Sequence, residues 1–235
     1  MWNLVRAEIV QLWRHRIVAL SAVAAPLIFA GVLLATRDQY DSAGSVAAMQ
    51  VAVMASLGVY VTATTALAAR RQHLFLKRLR TTPLSPSAIV AGMVLPSVLL
   101  SLIQTGIVLA VLAAVGSAPG NLGVVVAGVV ALNLILGLLA VATSGVTSSP
   151  DHAQVTTLPI FLLVVGGAIW VAITGTTDQA GLKRLTPGGS ISELVMQGWA
   201  GAPVGDVAPL VGPIVAWVLV GAVLARSTFR WEPRS

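Results

Sequence analysis

No cysteine occurs in this sequence, so a disulfide framework, a thiol nucleophile and a thiolate metal site are all excluded. Charge is almost as scarce: 9% of the 235 residues are Asp, Glu, Lys or Arg, whereas 57% are hydrophobic. A soluble domain of this length needs far more polar surface. The apolar residues fall in runs of about twenty, the length that crosses a bilayer as an α-helix. We therefore predict an all-α polytopic membrane protein in which residues 1–235 form one transmembrane domain.

Several kinds of chemistry are also missing. There is no Gly-x-x-x-x-Gly-Lys-Ser/Thr phosphate loop, so we expect the chain to bind no cofactor and not to hydrolyse ATP itself. Asp151, His152 and the nearby serines lie in a short loop rather than at depth, which is a poor setting for a hydrolase. The net charge of +6 comes from loops and not from one basic face, which argues against nucleic-acid binding. We predict no enzymatic activity and no metal site.

The apolar runs predict six transmembrane helices, and the Lys and Arg residues set their orientation. With the N-terminus inside, eleven of the fourteen Lys and Arg residues fall in inner segments and three in outer ones. Both termini are therefore expected in the cytoplasm, and the first span is not expected to be a cleaved signal. Abundant Arg, Ala, Val and Gly indicate a high-GC bacterial genome, hence the bacterial plasma membrane. The predicted spans are 17–36, 46–69, 88–115, 122–143, 155–174 and 208–226.

Two segments outside the spans have helical spacing of their own. Residues 1–16 carry Trp and aliphatic residues at three- and four-residue steps, which predicts an amphipathic helix in the inner headgroup layer. This helix either anchors the first span or acts as an elbow that transmits motion sideways. Residues 175–207 form a long outer segment, in which Ile191, Leu194 and Trp199 are among the apolar residues with helical spacing.

The interiors of the predicted spans contain no Asp, Glu, Lys or Arg. Proton- or ion-coupled carriers generally need such groups within the membrane, so a gradient-driven carrier is disfavoured. A neutral interior suits an amphipathic passenger. The polar residues inside the spans either line a path or join two helices by hydrogen bonds. The candidate path residues are Gln50, Thr62, Gln104, Asn133 and Trp170.

One strongly basic segment, residues 70–83, stands between the second and third spans. Five of the fourteen Lys and Arg residues lie in it. Each would cost roughly 2.5–3.5 kcal/mol at the centre of a membrane helix, so the segment must be a loop. It also contains apolar residues at helical spacing, which predicts a short helix that another protein can contact.

The motif LKRLRTTPLSP at residues 76–86, followed by IVAG at 89–92, resembles the first cytoplasmic loop of type-2 ABC exporter permeases. That family includes the daunorubicin-resistance-like drug and antibiotic exporters. The layout of the chain is similar as well, with an amphipathic N-terminal helix, six spans and a long outer segment before the last span. The sequence departs from the family pattern at two points. Arg70 or Arg71 replaces the usual glutamate, and Leu74-Phe75 replaces the usual Gly-Thr pair.

The resemblance implies the membrane subunit of an ATP-driven exporter for an amphipathic drug, antibiotic or lipid. It implies pairing with a second permease chain, identical or homologous, and docking on two ATPase subunits that bind ATP and Mg. It further implies that the segment 175–207 forms short helices dipping into the outer leaflet. The basic loop would hold the coupling helix that contacts the ATPase. The coupling residues would be Arg71, Leu74, Phe75, Leu76, Lys77, Arg78, Leu79, Arg80 and Pro83.

Two other interpretations remain open from the residues. The chain could be a membrane scaffold or assembly component that recruits a cytoplasmic partner through the basic loop without transporting anything. The arginines of the loop could also be topology signals near phospholipid headgroups and nothing more.

Overall fold

The computed structural model describes residues 24, 27–28, 30–72, 85–229 and 231. Within these residues the chain is helical and contains no β-strand. Residues 30–35 are helical, and Arg37–Gln39 forms a 3₁₀ turn. The α-helices of the described residues are α1 (Ala43–Ala55), α2 (Thr62–Gln72), α3 (Pro86–Val115), α4 (Leu122–Val146), α5 (Pro150–Thr174), α6 (Ala180–Leu185), α7 (Pro187–Trp199) and α8 (Ala208–Thr228). A π-helical segment, Ser56–Val61, joins α1 to α2.

Five helical stretches are long and apolar enough to cross a membrane. The first is Ala43–Gln72, which combines α1, the π-helical segment and α2, and the others are α3, α4, α5 and α8. They confirm the second to sixth predicted spans, and no bound differs by more than five residues. The predicted amphipathic helix 1–16 and most of the predicted span 17–36 lie outside the described residues. The chain is a multi-pass helical membrane protein.

Side-chain caps explain where several helices begin. In three cases a hydroxyl residue precedes a proline, and its oxygen accepts the backbone N–H three residues later. Proline suits the first helical position because its N–H would have no partner there. The three pairs are Ser85 Oγ with Ala88 N at 3.3 Å, Ser149 Oγ with His152 N at 3.3 Å, and Thr186 Oγ1 with Gly189 N at 2.9 Å.

The core of the bundle lies around α1, α4 and α7. Leu132, Ile135 and Leu136 of α4 are fully buried, and they belong to the main hydrophobic cluster together with α1 and α7. In contrast, α3, α5 and α8 expose broad apolar faces. An exposed apolar face is stable next to lipid or against another membrane helix, so these three helices form the apolar outer surface of the described region.

The helices α6 and α7 form a hairpin between α5 and α8. A Cβ added at Gly188 would lie 1.8 Å from the carbonyl oxygen of Val164, so only glycine allows α7 to approach α5 this closely. Val164 is in the middle of α5, so α7 begins beside the middle of that helix and not beside its end. Ile191, Leu194, Val195 and Trp199 are all buried, which confirms the helical spacing predicted for them.

Charge is present inside this hairpin, whereas the charged residues of the five spans lie only near the helix ends. Glu193 is 1% exposed, and the Arg184 guanidinium donates to both of its oxygens, at 2.8 and 2.6 Å. These hydrogen bonds raise the pKa of Arg184 above its usual value. Lys183 is also buried, and its ammonium donates to the carbonyl oxygen of Gly175 at 2.9 Å, at the end of α5. A cation there is favoured by the negative end of the helix dipole.

Candidate transport groove and coupling junction

A groove of about 770 Å³ lies between α3, α4 and α8. Its walls are almost entirely aliphatic, which suits an apolar molecule or chain. Asn133 lies towards one end, and Arg226 lies towards the other. Phe229 and Trp231, which follow α8, also line it, with their rings edge to face at 5.1 Å between centroids.

Glycine contacts hold α8 against α4 along one side of this groove. A Cβ at Gly221 would lie 3.0 Å from Leu138 Cβ, and a Cβ at Gly145 would lie 2.1 Å from the carbonyl oxygen of Thr228. The Thr228 hydroxyl also donates to the carbonyl oxygen of Ala142 at 2.9 Å. The two helices therefore run parallel, residue 221 opposite residue 138 and residue 228 near residue 145. The groove exists because α3 diverges from this tightly packed pair.

Asn133 is the predicted path residue that lines the groove. It is 1% exposed, and its side-chain nitrogen donates to the carbonyl oxygen of Val129 at 2.8 Å, within the same helix. Its Oδ1 has no hydrogen-bond partner among the described residues. The otherwise apolar groove thus has an unpaired amide oxygen at the end that lies away from Arg226.

The other predicted path residues lie elsewhere, so the structure does not bring the five together. Gln50 lies on α1 and donates to the carbonyl oxygen of Ala30 at 3.0 Å. The Thr62 hydroxyl donates to the carbonyl oxygen of Leu57 at 2.8 Å, within the π-helical region. Trp170 lies on α5, with its ring 5.8 Å from the Lys183 ammonium.

Gln104 belongs to a second polar region, between the π-helical segment and α3. Its amide oxygen and nitrogen have no partner in the described part of the chain, and neither do the hydroxyls of Ser56, Ser101 and Thr105. Ser101 packs directly against Gly58. A buried polar group without a partner costs about 1–3 kcal/mol. A hydrogen-bonding partner between these helices would remove that cost. Only Gln104 is in the predicted set, although residues 101, 104 and 105 share one helix face.

Arg71 is the only predicted coupling residue inside the described regions. It is 2% exposed, and its guanidinium donates to the carbonyl oxygens of Gly145, at 3.3 Å, and Thr147. These carbonyls lie at the end of α4, where a cation is favoured by the helix dipole. The same Gly145 contacts Thr228, so one junction joins the ends of α2, α4 and α8. The remaining coupling residues, from Leu74 to Pro83, lie outside the described residues.

Three residues at the mouth of the groove are absent from the predicted set: Arg226, Phe229 and Trp231. Their positive and aromatic side chains at the end of a span are a signal of a membrane interface. The sequence alone does not show that they face α3. Across residues 30–72 and 85–229, no three His, Cys, Asp or Glu residues are grouped so as to hold a metal ion.

The described residues thus form a bundle of apolar spans with a groove between α3, α4 and α8. The chain belongs to the ABC-2 type transporter family, whose membrane-domain model matches residues 1–171. The matched region includes the whole basic loop, so the resemblance found there is confirmed for the family. Membrane domains of this family typically lack catalytic activity, and the ATPase is normally separate. Among curated proteins, no sequence matches this chain significantly.

Proposed function

We propose that this chain is the membrane subunit of an ATP-driven exporter that moves an amphipathic small molecule outward, powered by a separate ATPase subunit. The observation that carries the proposal is the family match over residues 1–171. In this proposal the end of the bundle where α2 ends and α3 begins, here called the loop end, faces the cytoplasm. Eleven of the fourteen Lys and Arg residues fall on that side.

The junction at Arg71 supports a coupling role for the basic loop. Gln72 is the last residue of α2, so the basic segment 70–83 begins within the last turn of this helix. Movement of the loop would therefore act on Arg71, and through Gly145 and Thr147 on the end of α4. Because Gly145 also contacts Thr228, α8 would move with α4. ATP binding on the partner would thus reach two spans that border the groove.

Charge reversal in the loop tests the proposal. The double substitution Arg78→Glu and Arg80→Glu should lower the permease-stimulated ATPase rate about tenfold or more. The physical reason is that two cations that orient the ATPase become anions, which repel the same acidic partner groups. The measurement is ATP hydrolysis by the partner ATPase when it is reconstituted in liposomes together with the permease.

The matched control is Arg230→Glu with Arg234→Glu, an equal charge change in the C-terminal tail. It should leave the stimulated rate within twofold of the original protein. Equal rates for both double variants would mean that the loop arginines are topology signals. An ATPase that never associates with the purified permease would favour the scaffold interpretation.

The groove supports an apolar or amphipathic passenger, and Asn133 is the residue through which this is tested. Asn133→Leu removes an unpaired amide oxygen from the groove, so it should change the relative export of hydroxylated and non-hydroxylated compounds by about tenfold. Gln104→Leu provides the comparison at the second polar region. An unchanged transport profile for both variants would assign both residues to helix packing.

A further inference from the structure

The groove has two chemically different ends, and their separation along the membrane normal follows from the packing of α4 and α8. Gly221 lies opposite Leu138, and the Thr228 hydroxyl reaches Ala142. In this parallel register Arg226 lies level with about residue 143 of α4. That position is ten residues from Asn133, or about 15 Å at 1.5 Å per residue.

This distance equals the depth of one leaflet. A bilayer has a hydrocarbon core of about 30 Å, so one leaflet contributes about 15 Å. Asn133 is the twelfth of the 25 residues of α4, which places it near the middle of that span. Arg226 then lies at the level of the phospholipid headgroups on the loop side. The groove therefore extends from one headgroup layer to the bilayer midplane.

The charges at the groove are positive. Arg226 is exposed, lies in the last turn of α8 and forms no ion pair with another described residue. Arg226 is the one charged residue among those that line the groove, so the groove has a positive charge and no carboxylate. A guanidinium binds phosphate oxygens in a bidentate manner. Trp231 beside it has the indole ring that commonly anchors proteins at the headgroup layer.

We propose that this groove binds one anionic phospholipid of the loop-side leaflet. Its phosphate contacts Arg226, and one acyl chain lies between α3 and α8 and ends near Asn133. The volume of about 770 Å³ lies within the range of about 300–1,000 Å³ that is usual for a small-molecule site. The bound lipid fills the gap that α3 leaves beside the α4–α8 pair and stabilises that arrangement. This is the same groove that would hold the proposed passenger, but lipid binding requires no ATPase partner, so the lipid test can fail while the export proposal stands.

Small residues, glycine and alanine, give the groove its depth. A Cβ at Gly137 would already be in ordinary contact with Val94, at 3.4 Å, so a larger side chain there would narrow the groove. Ala91 lines the groove and is itself exposed. A phenylalanine at position 91 can therefore occupy the lipid space without displacing the core.

The test is mass spectrometry of the intact, full-length protein released from detergent, after titration with phosphatidylglycerol or phosphatidylcholine. The original protein should retain one phosphatidylglycerol per chain in preference to phosphatidylcholine. Arg226→Gln should weaken phosphatidylglycerol binding about fivefold and leave phosphatidylcholine unchanged, as expected for the loss of one cation near an anionic lipid. Arg226→Lys should restore most of the preference. Ala91→Phe should weaken both lipids.

Two controls separate the site from general lipid adhesion. Arg37→Gln removes an arginine from the opposite end of the bundle, and Ala110→Phe adds the same bulk to an exposed position of α3 outside the groove. Both should bind phosphatidylglycerol like the original protein.

Three results would overturn the proposal. The first is the lack of a phosphatidylglycerol preference that depends on Arg226. It would appear as equal retention of the two lipids by the original protein, or as unchanged retention of phosphatidylglycerol in Arg226→Gln. The second is loss of binding in Asn133→Leu but not in Arg226→Gln, which would indicate a hydroxylated passenger instead of a phospholipid. The third is a change from dimer to monomer in Ala91→Phe by light scattering with unchanged lipid retention. That result would make the groove an interface between two copies.

Discussion

Single glycine residues determine how closely the helices of this bundle approach each other. Gly145 and Gly188 each lie against a backbone carbonyl oxygen of another element, at distances that leave no room for a Cβ. Close backbone approach through small residues is the main way in which membrane helices pack, because lipid removes most of the hydrophobic drive. A methyl group at such a position must push two helices apart.

Gly145→Ala should therefore destabilise the protein. Its Cβ would lie 2.1 Å from the carbonyl oxygen of Thr228, and the expected loss is about 1–3 kcal/mol, as for other overpacked sites. Thermal unfolding in detergent measures the change. Gly166→Ala is the control, since no atom lies within 4 Å of its added Cβ and it remains exposed on α5. A Gly145→Ala protein as stable as this control would show that α4 and α8 are less closely packed.

Arg71 combines a buried structural contact with the transmission role proposed for it. Its sequence position assigns it to the basic loop, whereas the structure places it in a buried junction with the end of α4. The sequence does not distinguish Arg71 from Arg70, because only the tertiary packing shows which guanidinium turns inward.

Replacing Arg71 by Met should reduce stability and coupling together. The loss of a charged donor to two carbonyl oxygens should cost about 1.5–3 kcal/mol. Arg71→Lys retains the charge but not the fork geometry, so we expect an intermediate effect. Denaturant unfolding and ATPase stimulation should be measured on both variants. Full stimulation in a destabilised Arg71→Met protein would restrict this residue to a structural role.

At the scale of elements, the α6–α7 hairpin is held by ionic and polar contacts in addition to apolar packing. The Gln197 amide also donates to the Glu193 carboxylate, at 3.1 Å. Trp217 of α8 donates to the carbonyl oxygen of Leu185 at 2.9 Å, which ties the turn of the hairpin to the last span. The short α6 alone is too small to hold a fixed position, so these bonds fix it relative to α7 and α8.

Glu193→Gln should loosen the hairpin. The expected cost is roughly 2–3 kcal/mol, less than the 3–5 kcal/mol typical of a fully buried pair, because the Arg184 side chain keeps 30% of its exposure. A double-mutant cycle with Arg184→Met measures the interaction between the two side chains by thermal unfolding. A coupling energy near zero in this cycle would mean that packing alone holds the hairpin.

At the scale of the whole molecule, the sequence predicts the spans well because hydrophobic length is a local property. Pro86, Pro150 and their preceding serines mark helix starts for the same local reason. The groove is not predictable in this way. It depends on the parallel packing of α4 with α8, which are about eighty residues apart, and so Arg226 and Trp231 were missed. Gln50, Gln104 and Asn133 share polarity but lie on three different helices, so polarity alone does not show which residues lie together.

The absence of cysteine allows the orientation to be tested directly. Ser148→Cys lies in the turn between α4 and α5, and Ser117→Cys lies in the turn between α3 and α4, and both positions are exposed. In intact cells a membrane-impermeant maleimide should label the cysteine at 117 and should label the one at 148 only after lysis. The reverse pattern would place the basic loop outside the cell and remove the basis for coupling to a cytoplasmic ATPase.

The π-helical segment has a consequence for the direction in which α2 points. Wider winding over Ser56–Val61 accommodates about one extra residue, and each residue of an α-helix turns the chain by about 100°. The side chains of α2, including that of Arg71, are therefore rotated about the helix axis by roughly that angle, relative to an uninterrupted α-helix. Deleting one residue of this segment should turn the Arg71 side chain away from Gly145. Unaltered stimulation of the partner ATPase by the deletion variant would contradict this effect of the π-helical segment. The direction in which Arg71 points is thus set by the π-helical segment, which ends ten residues earlier in the middle of the span.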